Sequence, residues 1–237
     1  MIFPSVCMDG FFNNPEEIIN YANTLEYSPD GSSPGFRTKL LHELNFNFFN
    51  NICLKQLAVF FPNNFNDLSF NARSGFQKVP ANYEFTDWIH TDETSVLTTI
   101  IYLTDGCNAG TNIYQKNLFE KVPPTQIKYD YYKYMTDNKI SENKMEELKK
   151  VYKEHFEAYE ETISFKGIYN RFIGFDASSC HGAQSYFSDN KKDRLTLITF
   201  FDYINNKNLN LTMAEINKMS MAIERLKMSK SDRKSVV

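Results

Sequence analysis

Glycine is scarce in this chain of 237 residues: nine glycines are present, and no two of them stand at the G-x-G spacing. None precedes a Lys-Ser or Lys-Thr pair. These absences exclude the Rossmann dinucleotide fingerprint and the Walker A phosphate loop. The sequence therefore lacks the common glycine-dependent motifs of nucleotide binding.

Cysteine is also sparse, and its four residues are widely spaced, with no C-x-x-C pair. We expect free thiols in a reducing compartment rather than a disulfide framework or a zinc site. No apolar run approaches the roughly 18 residues that a transmembrane helix requires. The first basic residue is Arg37, so the N-terminus lacks the basic start of a signal peptide. The sequence thus predicts a cytoplasmic protein without a membrane partner.

An excess of positive charge is missing as well, because 26 Lys and Arg stand against 29 Asp and Glu. This mild acidic balance argues against binding nucleic acid through bulk charge, so no nucleic-acid partner is expected. Hydrophobic residues make up 42%, with 21 Phe and 14 Tyr, which is ample material for a large core. The richness in Asn, Lys, Phe, Tyr and Ile hints at an AT-rich genome, such as that of a virus or a marine bacterium.

The pattern along the chain predicts a single domain over residues 1–237. A helical lead-in, residues 1–74, is expected to pack on a β-rich core at residues 75–203. Asn14-Pro15-Glu16-Glu17 is typical of a helix start, and a second helix is predicted at about 46–60. Short segments rich in β-branched or aromatic residues predict strands at 68–78, 84–91, 96–103, 111–115, 171–176 and 194–203.

Two further helices are predicted outside this pattern. An insertion at about 116–168 includes an amphipathic helix at 141–160, whose second face is dense in Lys and Glu. Residues 204–237 form a C-terminal helix and tail, with a capping box from Thr212 to Glu215. That helix either lies on the core or forms the seam of a homodimer, so a monomer and a homodimer both remain open.

Residues 87–93 carry an H-x-D pattern. Residues two apart in a strand point to the same face, so His90 and Asp92 can direct an imidazole and a carboxylate at one point. His181 follows a predicted strand in a turn of small residues and can supply a third ligand. Two His and one carboxylate on one face of an octahedron leave three open positions, the arrangement of non-haem Fe(II) oxygenases.

Arg194 begins an otherwise apolar strand, on the same face as Thr196, Ile198 and Phe200. A guanidinium on an apolar inward face requires an anion. Its two-pronged geometry suits a carboxylate, such as one end of a dicarboxylate cosubstrate. The alternative is an ordinary surface ion pair with a nearby aspartate.

The order of these features is H-x-D, a strand ending in Tyr102-Leu103, a turn at Asn108-Ala109-Gly110-Thr111, a His and then an Arg. This order resembles the 2-oxoglutarate- and Fe(II)-dependent dioxygenases, most closely their prolyl-4-hydroxylase-like branch, over roughly residues 75–203. The resemblance implies a mainly β fold with flanking helices (α+β). Its core would be a double-stranded β-helix, also called a jelly-roll or cupin-like fold.

The same resemblance implies the roles of individual residues. The iron ligands and catalytic residues would be His90, Asp92 and His181. Arg194 matches the basic residue that binds the distal carboxylate of 2-oxoglutarate, and Tyr102 and Thr98 match positions that line its pocket. Nucleic-acid demethylases of this superfamily carry a second arginine six residues after the first, but Phe200 stands there in this chain.

The implied activity is O2-dependent hydroxylation of an unactivated C–H bond, with release of succinate and CO2. The substrate would be a peptide or protein side chain, proline among them, or a small molecule. Two other functions stay open: a cupin-like metal enzyme that does not use 2-oxoglutarate, and a non-catalytic jelly-roll with a binding or structural role.

Several residues near the motifs have a simpler interpretation. His155 is expected to be a packing residue on its helix, and His42 a structural or surface residue. Trp88 shares the face of His90 and either borders the substrate mouth or packs in the core. The charged face of the insertion helix is expected to be solvated, with a lid over the active site as the alternative.

Overall fold

The structure is a computed structural model that describes residues 2–29, 33–63, 68–81, 83, 88–106, 109–116, 142–184, 186 and 191–206. The predicted C-terminal helix and the part of the insertion before residue 142 lie outside these residues. In chain order the elements are β1 (Val6–Met8), α1 (Pro15–Asn23), β2 (Phe36–Arg37), α2 (Leu41–Leu44), α3 (Phe46–Phe60), β3 (Leu68–Val79), β4 (Leu97–Tyr102), β5 (Thr111–Lys116), α4 (Glu142–Glu157), β6 (Tyr159–Phe165), β7 (Arg171–Asp176), β8 (Cys180–Ala183) and β9 (Arg194–Asn206).

The strands form two antiparallel sheets. The larger has six strands in the order β1-β7-β4-β9-β3-β2, and the smaller has three in the order β6-β5-β8. His90 forms an isolated antiparallel bridge with His181, so the segment around His90 extends the free edge of β8. The mainly β architecture with flanking helices that the sequence predicts is confirmed.

The larger sheet is covered on both of its faces, which is why all six residues of β4 are buried. Successive residues of β4 and β9 point to opposite sides. One side packs against the helices with the buried residues Leu97, Ile101, Leu195, Leu197 and Phe201. The other side packs against the smaller sheet in a cluster of Ile100, Tyr102, Ile113, Phe165, Ile173, Phe175 and Ile198.

Helix α3 confirms the helix predicted at 46–60. It begins where the Asn45 side chain accepts a hydrogen bond from the Phe48 backbone N–H at 3.0 Å, a typical N-cap. Its buried face repeats at helical spacing through Phe49, Ile52 and Leu57, and it supplies the main cover of the larger sheet. Among the helices that the structure describes, none is both long and apolar enough to cross a membrane.

The structure differs from the sequence prediction around the smaller sheet. His181 lies on the four-residue strand β8 rather than in a turn, and residues 159–165 form strand β6 inside the predicted insertion. Neither segment was predicted as a strand. Both segments pair with β5. For β8, whose sequence is Cys-His-Gly-Ala, this tertiary contact outweighs the weak local preference for a strand.

The predicted strand at 84–91 is only partly described, and over residues 88–91 its backbone pairing is the single bridge at His90. Two short strands, β1 and β2, were missed in the lead-in. They lie at the two edges of the larger sheet, where β1 pairs with β7 and β2 pairs with β3.

Asn170 joins the N-terminal segment to the larger sheet. Its backbone is left-handed, with φ of 58°. Its side chain accepts a hydrogen bond from the Phe12 N–H at 2.9 Å and donates one to the Phe12 carbonyl at 2.8 Å. Its backbone N–H donates to the Tyr102 carbonyl at 2.7 Å. Asn suits this position because it tolerates the left-handed region and its amide satisfies a buried peptide.

Asn170→Gly is expected to lower the free energy of unfolding by about 2 kcal/mol, because the buried Phe12 N–H and carbonyl lose their partners. Asn170→Ala is expected to cost about 1 kcal/mol more, since alanine also pays the left-handed backbone penalty. Urea unfolding of the two variants measures both the loss of the hydrogen bonds and the backbone penalty.

Lys191 is the matched control, because it has the same φ of 58° but is exposed. Lys191→Ala should change stability by less than about 0.5 kcal/mol. An Asn170→Gly variant as stable as the unmodified chain would show that the amide contributes nothing.

Candidate metal centre

Three side chains converge at the junction of the two sheets. The ligand atoms of His90, Asp92 and His181 all lie within 4.8 Å of one another. Nε2 of His181 is 3.4 Å from Oδ2 of Asp92, and Nε2 of His90 is 3.9 Å from Oδ1. Within the described part of the chain, no other group of three His, Cys, Asp or Glu residues meets in this way.

Backbone hydrogen bonds bring these residues together across almost a hundred positions of sequence. The His90 N–H donates to the His181 carbonyl at 2.9 Å, and the His181 N–H donates back to the His90 carbonyl at 2.8 Å. Residues that exchange both bonds project their side chains to the same face, which sets the two rings 4.5 Å apart. The Asp92 N–H is held by the Ala177 carbonyl at 2.9 Å, which sets the position of the carboxylate.

The tautomer of both histidines follows from their second ring nitrogen. Nδ1 of His90 lies 2.7 Å from the Trp88 carbonyl, and Nδ1 of His181 lies 2.9 Å from the Ser179 carbonyl. A carbonyl only accepts, so each Nδ1 carries a proton, and the neutral form of each imidazole then presents its lone pair at Nε2. Both lone pairs face a carboxylate, an arrangement of acceptors that a divalent cation would stabilise. The ligand set therefore fits a first-row metal.

Thr98 lies beside this centre. Its hydroxyl donates to Oδ2 of Asp92 at 2.5 Å, and its side chain is buried on β4. A charge-assisted bond of this kind holds the carboxylate in one orientation. The structure thus places Thr98 against a candidate ligand, whereas the family resemblance implied a wall of the cosubstrate pocket.

Polar contacts also fix the turn after Asp92. Nη2 of Arg73 donates to the hydroxyl oxygens of Thr94 at 3.1 Å and Ser95 at 3.2 Å. The same guanidinium forms an ion pair with Asp202 at 3.0 Å. The sequence analysis missed Arg73, because no local pattern connects β3 with a turn that follows it by some twenty residues.

Arg194 lies deep between the sheets with 3% of its surface exposed. Its Nε donates to the Ala109 carbonyl at 3.1 Å, and the rings of Tyr102 and Tyr186 flank the guanidinium with centroids 5.3 Å away. No carboxylate of the described residues pairs with it, and the Asp193 side chain instead accepts from the Ala81 N–H. A buried guanidinium in this setting is suited to an anionic ligand.

Gly110 explains how the Ala109 carbonyl is held against Arg194. A Cβ at Gly110 would collide with the carbonyl oxygen of Phe165 and would approach Oε1 of Gln184 to 2.8 Å. Only glycine therefore lets this turn lie flat against the end of β6. This position corresponds to the glycine of the predicted Gly-Thr turn.

Thr196 is a polar residue that the sequence analysis did not assign to the site. It is completely buried, and its hydroxyl has no hydrogen-bond partner. It lies directly across from Tyr102 in the β4–β9 register and two residues after Arg194, on the same face of β9. Since buried polar groups are nearly always satisfied, this hydroxyl is available to a ligand atom beside Arg194. The i, i+2 spacing from Arg194 is the signal that could have identified it.

Tyr102 lies at the same end of the strand face as Arg194 and Thr196. Its hydroxyl donates to the Thr111 hydroxyl oxygen at 2.8 Å. Burial raises the pKa of Tyr102, and the neighbouring Arg194 guanidinium offsets only part of that effect. The phenol is therefore neutral near pH 7 and acts as a hydrogen-bond donor.

The metal centre and the Arg194 end lie at opposite ends of one strand face. Thr98 and Tyr102 are separated by four positions on β4, about 13 Å along the strand. Between them the paired residues Ile100 and Ile198 face the smaller sheet. The strand face between the two polar ends thus carries apolar side chains.

The remaining histidines and Trp88 pack away from the centre. Trp88 is 2% exposed and lies against Tyr152 and His155 of α4, so it is a core residue rather than part of a pocket mouth. His155 is buried, as predicted for a packing residue. The ring of His42 packs on Phe49 at 5.6 Å.

Comparison with solved structures finds proteins to which this chain is similar. An oxidoreductase of the 2OG-Fe(II) oxygenase family from Burkholderia pseudomallei is 11% identical, with 86% of each chain covered and a TM-score of 0.50. A prolyl 4-hydroxylase from Phytophthora capsici is 15% identical, with 94% of this chain and 68% of that chain covered and a TM-score of 0.45. HygX from Streptomyces hygroscopicus, solved with nickel and 2-oxoglutarate bound, is 10% identical, with 86% and 84% covered and a TM-score of 0.49.

At such identities the Burkholderia structure shows the fold alone, which is the jelly-roll of 2-oxoglutarate oxygenases. No curated protein sequence matches this chain. The model of the DUF6445 family, a family of unknown function, matches residues 3–201, and the chain belongs to that family.

Proposed function

We propose that this protein is an Fe(II)- and 2-oxoglutarate-dependent oxygenase that hydroxylates an unactivated C–H bond of a peptide or small-molecule substrate. The observation that carries the proposal is the convergence of two imidazole nitrogens and one carboxylate within 4.8 Å. Iron bound there would couple the oxidative decarboxylation of 2-oxoglutarate, which yields succinate and CO2, to oxidation of the substrate by O2.

The chain's own residues hold and orient the reactants. His90, Asp92 and His181 would ligate the metal from one side and leave its other positions to cosubstrate and O2. The carbonyls of Trp88 and Ser179 keep both imidazoles in the ligating tautomer.

Arg194 and Thr196 would receive the distal carboxylate of 2-oxoglutarate. The guanidinium supplies the opposite charge, and the unpaired Thr196 hydroxyl supplies a further donor. The flanking rings of Tyr102 and Tyr186 limit the movement of the guanidinium, so it is already oriented before the ligand binds. The apolar side chains of Ile100 and Ile198 would exclude water from the middle of the pocket.

A buried guanidinium and a buried unpaired hydroxyl at one end of the pocket also bear on the rival functions. A cupin-like enzyme without an anionic cosubstrate has no use for either group, and both are costly to bury without a ligand. A non-catalytic jelly-roll has no need of the ligating tautomers. The residues therefore favour the 2-oxoglutarate-dependent function.

His90→Ala is expected to weaken Mn(II) binding by at least about 100-fold and to abolish succinate formation, because it removes one of three ligands. Isothermal titration with Mn(II), a redox-stable substitute for Fe(II), measures the affinity. His42→Ala, which removes a histidine packed on Phe49, is the control and should bind Mn(II) normally. Equal affinity and turnover in His90→Ala would refute the metal assignment.

Arg194→Ala is expected to weaken 2-oxoglutarate binding to the Mn(II)-loaded protein by about 100-fold or more, because a buried charge-assisted pair is lost. Mn(II) affinity itself should stay within about threefold, since Arg194 is remote from the three ligands. If the Mn(II)-loaded unmodified protein does not bind 2-oxoglutarate, the cupin-like alternative replaces the proposal.

Thr196→Val should stabilise the ligand-free protein by about 1 kcal/mol, because it removes a buried hydroxyl without a partner. The same change should weaken 2-oxoglutarate binding by about tenfold. Thr199→Val is the matched control: Thr199 is equally buried on the same strand, but its hydroxyl bonds to Ser74 at 2.8 Å. That variant should lose stability and keep its cosubstrate affinity. A Thr196→Val protein with unchanged 2-oxoglutarate affinity would remove Thr196 from the pocket.

A further inference from the structure

Helix α4, from the insertion, has two different faces. Its outer face carries exposed ion pairs such as Lys150–Glu154 and Lys153–Glu157. Its inner face carries Tyr152, His155 and Phe156, whose rings contact one another or the smaller sheet. The charged side is thus the solvated face that the sequence predicts. The inner side is the face that contacts the segment before His90.

The inner face of α4 buries Trp88, two residues before the candidate ligand His90. The Trp88 ring lies 5.3 Å from the ring of Tyr152 and 4.7 Å from that of His155, and its exposed fraction is 2%. Trp88 is also the residue whose carbonyl orients the His90 ring. The helix therefore packs against the residue that sets the orientation of the ligand.

His155 adds a polar contact to the same segment. Its Nε2 lies 3.0 Å from the carbonyl oxygen of Ile89, and since a carbonyl only accepts, the imidazole donates. His155 is 3% exposed, so little water can replace it at this carbonyl. The Ile89 peptide unit precedes His90 directly. The hydrogen bond from His155 therefore fixes the backbone directly before His90, the candidate metal ligand.

The same helix reaches the second ligand-bearing segment. Phe156 lies 6.3 Å from the ring of Tyr114, and Tyr159, just after the helix, lies 6.5 Å from it. Tyr114 pairs with Cys180, the neighbour of His181, in the β5–β8 register. One helix face thus supports both histidine segments from outside the smaller sheet.

We propose that His155 is a positioning residue of the metal centre, and that helix α4 acts as an outer support that sets the geometry of His90. This inference rests on the proposed function for the assignment of His90 as a metal ligand. The contact between His155 and the Ile89 carbonyl can itself be tested without metal. Helix α4 then contributes to the function of the site through its contacts with the segment that carries His90.

The test compares His155→Leu, which removes the donor, with His155→Gln, which retains an N–H at similar reach. Hydrogen exchange of the metal-free protein should be faster by about tenfold over peptides spanning residues 88–92 in the Leu variant. Mn(II) affinity should fall by about tenfold in the Leu variant and stay within about threefold of the unmodified chain in the Gln variant. Lys153→Ala, on the exposed face of the same helix, is the control and should change neither quantity.

The outcomes separate the two proposals. If the unmodified protein binds no Mn(II) but exchange rises in His155→Leu, the proposed function fails and the positioning contact stands. The positioning role is overturned if hydrogen exchange and Mn(II) affinity are unchanged in His155→Leu. It is also overturned if His155→Gln loses as much Mn(II) affinity as His155→Leu does. Should the Leu variant fail to fold, His155→Asn replaces it, because the shorter amide cannot reach the Ile89 carbonyl and is expected to behave as Leu does.

Discussion

The two backbone hydrogen bonds between His90 and His181 are the constraint on which the rest of the site depends. They attach the segment around His90 to the edge of β8. Among the described residues, this bridge is the segment's one strand pairing. Because the backbone of each histidine donates one of these hydrogen bonds and accepts the other, the two side chains must share one face. Asp92 then reaches the same point through its own bond to the Ala177 carbonyl. The geometry of the centre is thus set by backbone pairing before any side chain is considered.

Side chains of the larger sheet alternate between its two faces, so the residues of the candidate site lie on one face and the helix-packed core residues on the other. On β4, Thr98 and Tyr102 face the smaller sheet, whereas Leu97 and Ile101 face the helices. The helix side is a continuous hydrophobic core, and the inner side carries the polar groups at its two ends. Substitutions that alter cosubstrate binding can therefore leave the helix-facing core unchanged. Thr196 and Thr199 on β9 are the clearest pair, since they are equally buried and point to opposite sides.

Much of this arrangement could be predicted from the sequence. The H-x-D pattern, the later His181 and the charged start of β9 identify residues that the fold brings together or buries. Helix α3 and most strands of the larger sheet also follow from local patterns. Strand β8 could not be predicted, because Cys180–Ala183 is short and poor in β-branched residues and owes its form to pairing with β5. The roles of Thr98 and His155 depend on contacts between distant segments, which no periodicity records.

The proposed function requires that a divalent metal lie at one end of a pocket and the distal carboxylate of a 2-oxo dicarboxylate at the other. A crystal structure grown anaerobically with Mn(II) and an unreactive analogue of 2-oxoglutarate would show both. We expect Mn(II) bound to Nε2 of His90, Nε2 of His181 and the Asp92 carboxylate, with the distal carboxylate of the analogue on Arg194 and Thr196. Mn(II) bound elsewhere, or an analogue that leaves Arg194 without a carboxylate partner, would contradict it.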